Sequence, residues 1–246
     1  DEAYIDREVA GRIVLASGPP HRVYEEAVRQ RDALGVISHH LPWVCPEVGR
    51  TSEELPDLVS QGRIRVALED RARGFSVSIS SRQAAELTRL LAGQDVLVEC
   101  RIDGGPFRGE FEIVTGRIPG AQSPEREVIV LAHLCHPSPG ANDNASGVAL
   151  ALEIARQFTS ERWRDRFGRP RFSVRFLFGP EILGGLAFLA SGLAASDQLL
   201  DSVNLDMVGG KQTVTRSPLL LEDTPWSLPT YSHLLAQRVL WQRSSD

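Results

Sequence analysis

Cysteine, methionine and long apolar runs are all scarce in this chain of 246 residues. The cysteines are three, Cys45, Cys100 and Cys135, an odd number set far apart. They imply no disulfide framework and favour a reducing, cytoplasmic compartment. No stretch reaches the roughly 18 consecutive apolar residues of a membrane-spanning helix, and no basic segment followed by an apolar core marks a secretory leader. Positive charge is not in surplus either. A net charge of −5 argues against nucleic acid or an anionic membrane as the main partner. Internal repeats and low-complexity tracts are absent. The only methionine is Met207 and the chain opens on Asp1, so the sequence is expected to be a processed chain or part of a longer product.

What remains is an ordinary globular composition, 42% hydrophobic and 24% charged, with enough length for one large domain or two small ones. The pattern divides in two. In the first half, apolar segments at 11–17 and 35–37 read as strands around a helical periodicity at 21–34. An irregular, proline-containing stretch at 39–69 holds a candidate strand at 63–68. A strand is expected at 75–79. A helix then opens at Ser80, where Gln83 completes a capping box, and runs to Ala92 with Gly93 as its stop. A strand at 95–102 follows, and the glycine- and proline-containing stretch 103–108 reads as a hinge. The second half predicts strands at 110–117, 128–132, 171–178 and 201–208 and helices at 148–158 and 186–193. A charged loop is expected at 160–170 and a final helix after Pro225. Residues 1–108 are thus expected to form a small α+β domain, and 109–246 an α/β sheet with covering helices.

The most informative stretch is EVIVLAHLCHPSPGANDNASGVALALEIARQF, at 127–158. A strand that runs into a polar turn and then a helix is where open α/β sheets place their ligands. His133, Cys135 and His136 stand at the strand's end. Alternation puts His133 and Cys135 on one face and His136 on the other unless the turn at Pro137 re-aims it. Each histidine is either a metal ligand or a satisfied turn residue. Asp143, between Asn142 and Asn144, is either a helix cap or a carboxylate whose two oxygens bridge two cations. Glu181, after the strand at 171–178, is either a solvated acid or a general base. Asp206 interrupts SVNLDMVGG, a strand expected to be largely buried. A buried carboxylate is costly unless paired or coordinating, which favours a ligand. Three successive strands therefore end in His, Glu or Asp, and parallel strands would bring those ends to one edge. The chemistry of such a set is metal-assisted hydrolysis. A Cys135–histidine nucleophile pair has no base-to-nucleophile geometry at adjacent positions. The arginines at 162, 164, 166, 169 and 171 are interleaved with Glu161 and Asp165 and read as a solvated loop.

These motifs resemble the co-catalytic zinc aminopeptidases, the clan that also holds glutamate carboxypeptidase and the transferrin receptor. VIVLAHLC looks like that family's strand ending in His-x-Asp, GANDNASG is similar to its bridging-aspartate motif, and NLDMVG looks like its strand with a further ligand. The resemblance covers about 111–209. GRIVLASG, ALGVI and SVSISSRQAAELTRLLAG in the first half resemble the protease-associated domain inserted in such peptidases. The resemblance implies a mixed-sheet zinc-exopeptidase-like α/β sandwich beside a smaller α+β domain, with two zinc ions in the full-length protein. It implies His133 at the first metal, Asp143 as bridge, Asp206 completing the first site and Glu181 as base. Two motifs depart from the family. His-x-Asp is here His133-Leu134-Cys135, with His136 as an alternative ligand, and a bacterial subgroup with Cys-His-Pro and Pro-Glu is similar in this. The paired glutamates are here Pro180-Glu181-Ile182, so Glu181 is either base or second-site ligand. For the last histidine ligand only His233 is available, in a context that does not match, so the chain is expected to be a middle portion of a longer peptidase. The function expected is a metal-dependent exopeptidase, an aminopeptidase cleaving peptides or small amides with metal-activated water. The rivals are a non-catalytic homologue acting as a binding module, and another amidohydrolase or glutaminyl cyclase on the same scaffold.

Overall fold

The computed structural model describes residues 8–41, 54–64, 73–104, 107–215, 219–225, 227 and 230–244. Contacts divide the chain into two compact units, Asp1–Gly109 and Glu110–Asp246.

The first unit is built on a parallel three-stranded sheet, β1 (Ile13–Ala16), β2 (Gly35–Ser38) and β3 (Ser76–Ser78), in that order. Parallel neighbours need a crossover. Between β1 and β2 it is α1 (Pro20–Val23), continued by a π-helical turn over Tyr24–Arg29. Proline opens α1, where its missing N–H is harmless. Val23, Tyr24, Ala27, Val28, Ala33 and Val36 form the buried core, with Val14, Ala16 and Ile64 against it. Helix α2 (Ser81–Leu91) starts at the expected capping box: Ser80 Oγ accepts from Gln83 N at 3.3 Å, and Ser80 N donates to Gln83 Oε1 at 3.0 Å.

The strand expected at 95–102 does not form. No neighbouring strand pairs with it among the described residues, and Leu97 is 99% exposed while Val96 and Val98 are only half-buried. Of the candidate strand at 63–68, Arg63 and Ile64 are irregular and the rest lies outside the described residues, as do Cys45, Gly105 and Pro106.

The second unit is a four-stranded mixed sheet of β4 (Val114–Ile118), β5 (Ser123–His133), β6 (Phe172–Gly179) and β7 (Leu199–Asn204), in the order β4-β6-β5-β7. Strands β5, β6 and β7 are mutually parallel, and β4 is antiparallel to β6. Strand β5 leads through α3 (Gly147–Thr159) and α4 (Glu161–Phe167) to β6 on one side. Strand β6 leads through α5 (Leu183–Ala190) back past β5 to β7 on the other. The strand order therefore reverses between β5 and β7.

The alternation of β6 works as its sequence predicts. Val174, Phe176 and Phe178, with Val130 and Ala132 of β5, pack under Ala151, Ile154 and Phe158 of α3. Leu177 and Ile129 face the opposite side and meet Phe188 of α5. Both faces of the sheet are covered, which explains the continuous apolar run of β5 at 128–132. The expected charged loop at 160–170 is mostly helix α4. Ser160 Oγ accepts from Trp163 N at 3.2 Å, Gly168 at φ 72° stops it, and Trp163 lies between Phe158 and Phe167 with ring centroids 4.9 and 4.5 Å away. The arginine run concealed this cap and aromatic ladder.

Buried ionic contacts tie three strands. Glu127 of β5, 5% exposed at its side chain, takes Arg175 Nε of β6 at 2.5 Å and Arg117 Nε of β4 at 2.6 Å. Burial would push its carboxyl up. The hydrogen bonds and charge of Arg175, with the charge of Arg117, outweigh it and hold Glu127 below its ordinary value.

Candidate metal centre

The reversal between β5 and β7 is a topological switch point, where open α/β sheets bind ligands beyond the strands' carboxyl ends. His133 ends β5, and the ladder extends past β7 as Leu205 N donates to Leu131 O at 2.8 Å. Asp206 follows one residue later. The strand containing it was expected to run to 208 and to be largely buried. It stops at Asn204, and the Asp206 side chain is 35% exposed. Strand β7 pairs only with β5 among the described residues, so this edge leaves the acid accessible.

His133 is buried, and its Nδ1 lies 2.9 Å from the Cys135 carbonyl. A carbonyl only accepts, so Nδ1 donates to it, and Nε2 faces the other way. It points at two carboxylates: Asp143 Oδ1 at 3.0 Å and Asp206 Oδ1 at 3.5 Å. The three residues each offer one ligand atom, all within 4.8 Å of one another. Tetrahedral zinc with bonds of about 2.0–2.1 Å separates its ligand atoms by about 3.3 Å, a value the two measured distances straddle. Three electron-rich atoms converging in this way fit a cation.

The other oxygen of Asp143, Oδ2, lies 3.3 Å from His136 Nε2, and His136 Nδ1 is 2.5 Å from the Ser138 carbonyl. One carboxylate thus stands between two histidines. His136 is more accessible than His133 and is not one of the three clustered residues.

The turn before α3 explains how Asp143 comes to be available. Of the three cap-type residues it is Asn144 that caps the helix, its Oδ1 accepting from Gly147 N at 3.1 Å. The same oxygen accepts from Met207 N at 3.2 Å, and Nδ2 donates to the Leu205 carbonyl at 2.8 Å. Asn144, buried, therefore clamps the segment carrying Asp206 to the start of α3. Asn142 Oδ1 adds a contact from Gly209 N at 2.9 Å. These two clamps were seen in the sequence only as cap types. Gly147 is required by close approach, since a Cβ there would lie 2.1 Å from the Leu205 carbonyl oxygen.

Glu181 follows β6 at the same sheet edge and is exposed, with its backbone N–H donating to Cys135 Sγ at 3.2 Å. Its carboxylate is not part of the three-residue cluster. His233 lies in α6 (Ser232–Ser244), outside the cluster, with Nδ1 3.1 Å from Asp223 Oδ1. An open cleft of about 520 Å³ adjoins the centre, lined by His133, His136 and Asp143 on one side and by Leu134, Val148 and Leu152 among its apolar walls.

The α/β sheet and the convergent site are accompanied by a family match over residues 29–225, to a domain of unknown function, DUF4910. The chain belongs to that family. Over 97 residues it is 38% identical to a Clostridium acetobutylicum protein described as "Putative polysaccharide biosynthesis protein with aminopeptidase-like domain", covering 39% of this chain and 19% of that one. Over 111 residues it is 30% identical to a Pyricularia oryzae protein described as "Probable zinc metalloprotease", covering 41% of this chain and 21% of that one. The matches span about a fifth of the length of these curated relatives. Among solved structures, an aminopeptidase from Aneurinibacillus sp. strain AM-1 aligns over 86% of this chain and 49% of its own, at a TM-score of 0.45 and 19% identity.

Proposed function

We propose that this chain carries the metal centre of a zinc-dependent peptidase that removes residues from peptide N-termini. The observation that carries the reading is the convergence of His133 Nε2, Asp143 Oδ1 and Asp206 Oδ1 at the β5/β7 switch point. The names of the two curated relatives, one aminopeptidase-like and one a zinc metalloprotease, support the class of reaction.

These three residues would hold the first ion. His136 and the second oxygen of Asp143 would be available to another. Bound zinc would supply a Lewis acid that polarises a scissile carbonyl and makes water a nucleophile near neutral pH. The chain's own contributions are positional and acid–base. The Cys135 carbonyl holds the tautomer of His133. Asn144 holds the Asp206 segment. Glu181, at the end of the adjacent strand, takes the proton of the attacking water and delivers it to the departing amine. The cleft beside Leu134, Val148 and Leu152 receives an apolar side chain and its peptide group.

Zinc titration of the wild type, His133→Ala and Asp206→Asn tests the centre. The two variants are expected to lose at least about 10–100-fold in affinity, since each removes a direct ligand. A panel of aminoacyl anilides and short peptides, offered to the protein at its natural full length, tests the reaction. Equal zinc affinity in all three proteins would mean that His133 is instead a protonated partner of two carboxylates. Tight zinc binding with no substrate cleaved would make the chain a binding module, as the single acid after β6 and the cysteine at 135 would allow.

A further inference from the structure

We propose that Cys135 is a positioning residue for Glu181, acting through its thiol, while its backbone carbonyl acts separately on His133. This rests on the peptidase reading and on Glu181 as its base.

The pairing of β5 with β6 continues one residue past β5, where Leu134 N donates to the Gly179 carbonyl at 2.8 Å. Cys135 comes next, just where the two chains part, and it reaches in two directions. Its carbonyl takes the Nδ1 hydrogen of His133 at 2.9 Å, and its Sγ takes the backbone hydrogen of Glu181 at 3.2 Å. One residue thus touches both a ligand and the amide of the acid beyond β6.

The Glu181 turn is one that needs an anchor. It is tight, with Gly184 N donating to the Pro180 carbonyl at 2.7 Å and Leu183 N to the Glu181 carbonyl at 2.5 Å. Ile182 sits at φ 58°, a strained region that a β-branched residue adopts only when its surroundings impose it. The thiol holds the residue immediately before Ile182. Without that contact the turn can relax toward ordinary backbone angles, and the carboxylate leaves the position from which it would meet the water.

The division between the two atoms makes the role separable. Changing the side chain removes Sγ and leaves the carbonyl on His133. In Cys135→Ala, zinc affinity is expected to stay within about 2-fold, while kcat falls about 10–100-fold at unchanged KM, as for loss of a supporting partner. Cys135→Ser, whose hydroxyl also accepts, should recover part of that loss. The direct readout is exchange of the Glu181 amide hydrogen, followed by NMR, which should quicken about 10-fold in Cys135→Ala. Unchanged exchange would overturn the proposal, and so would zinc affinity falling in step with kcat, the sign of a general structural role. A thiolate charge-transfer band in the cobalt-loaded wild type, lost in Cys135→Ala, would make Cys135 a ligand and also overturn it. A wild type that binds zinc but cleaves nothing overturns the peptidase reading instead, and amide exchange then still decides whether the thiol holds the turn.

Discussion

Asn144 shows how much one side chain can settle. It is buried, and it caps α3, takes the Met207 amide and holds the Leu205 carbonyl. Asn144→Ala leaves those groups without their partner. It is expected to cost about 2–4 kcal/mol in stability. It should also weaken zinc binding about 10–100-fold by releasing the Asp206 segment. Thermal melts and zinc titrations on the same preparation check both, and a destabilised variant with wild-type zinc affinity would show that Asp206 is held by something else. In the sequence, Asn142, Asp143 and Asn144 are equivalent cap types. What distinguishes them is 61 to 63 residues away along the chain, in the backbone of Leu205 and Met207, so local pattern alone could not assign their roles. Asp206 stood out in the sequence as an acid in a strand expected to be largely buried; it lies 3.5 Å from His133, but on an accessible edge.

At the level of elements, the close fit lies where α3 starts against the chain beyond β7. Gly147→Ala would put a methyl about 2.1 Å from the Leu205 carbonyl oxygen. That should lower the melting temperature and separate Asp143 from Asp206. Gly185, inside α5, has nothing within 4 Å of the same added atom. Gly185→Ala should be neutral or stabilising by up to about 1 kcal/mol, through helix propensity alone. Parallel melting curves of the pair separate steric approach from propensity, and equal destabilisation would contradict the contact. The strands of the sheet core were legible because burial on both faces leaves apolar runs that survive without context. Helix α4 was not, because its charged residues hide a short amphipathic turn whose support is aromatic. The segment at 95–102 carried a strand pattern with no neighbour to pair with among the described residues.

Across the whole second unit, Glu127 ties β4, β6 and β5 through Arg117 and Arg175. Because its folded carboxyl lies below the ordinary value, its contribution is fully present above the unfolded value of about 4.3 and is lost as pH falls through the folded one. Glu127→Gln leaves two cations facing an amide and should cost about 3 kcal/mol or more near neutral pH. Below about pH 4 the wild type should lose this advantage while the variant stays flatter. Unfolding curves from pH 7 down to pH 3 check the convergence, and parallel curves would place the coupling elsewhere. Glu127 read in the sequence only as the start of a strand, since its partners come from strands whose order the sequence does not give. The turn from Gly140 to Gly147 has a different kind of consequence. Cap and candidate ligand are consecutive residues, so inserting or deleting one position there would hand the helix to Asp143 and an amide to the histidines. In a library of single-residue insertions and deletions, this turn should tolerate no change of length, even where individual letters are replaceable.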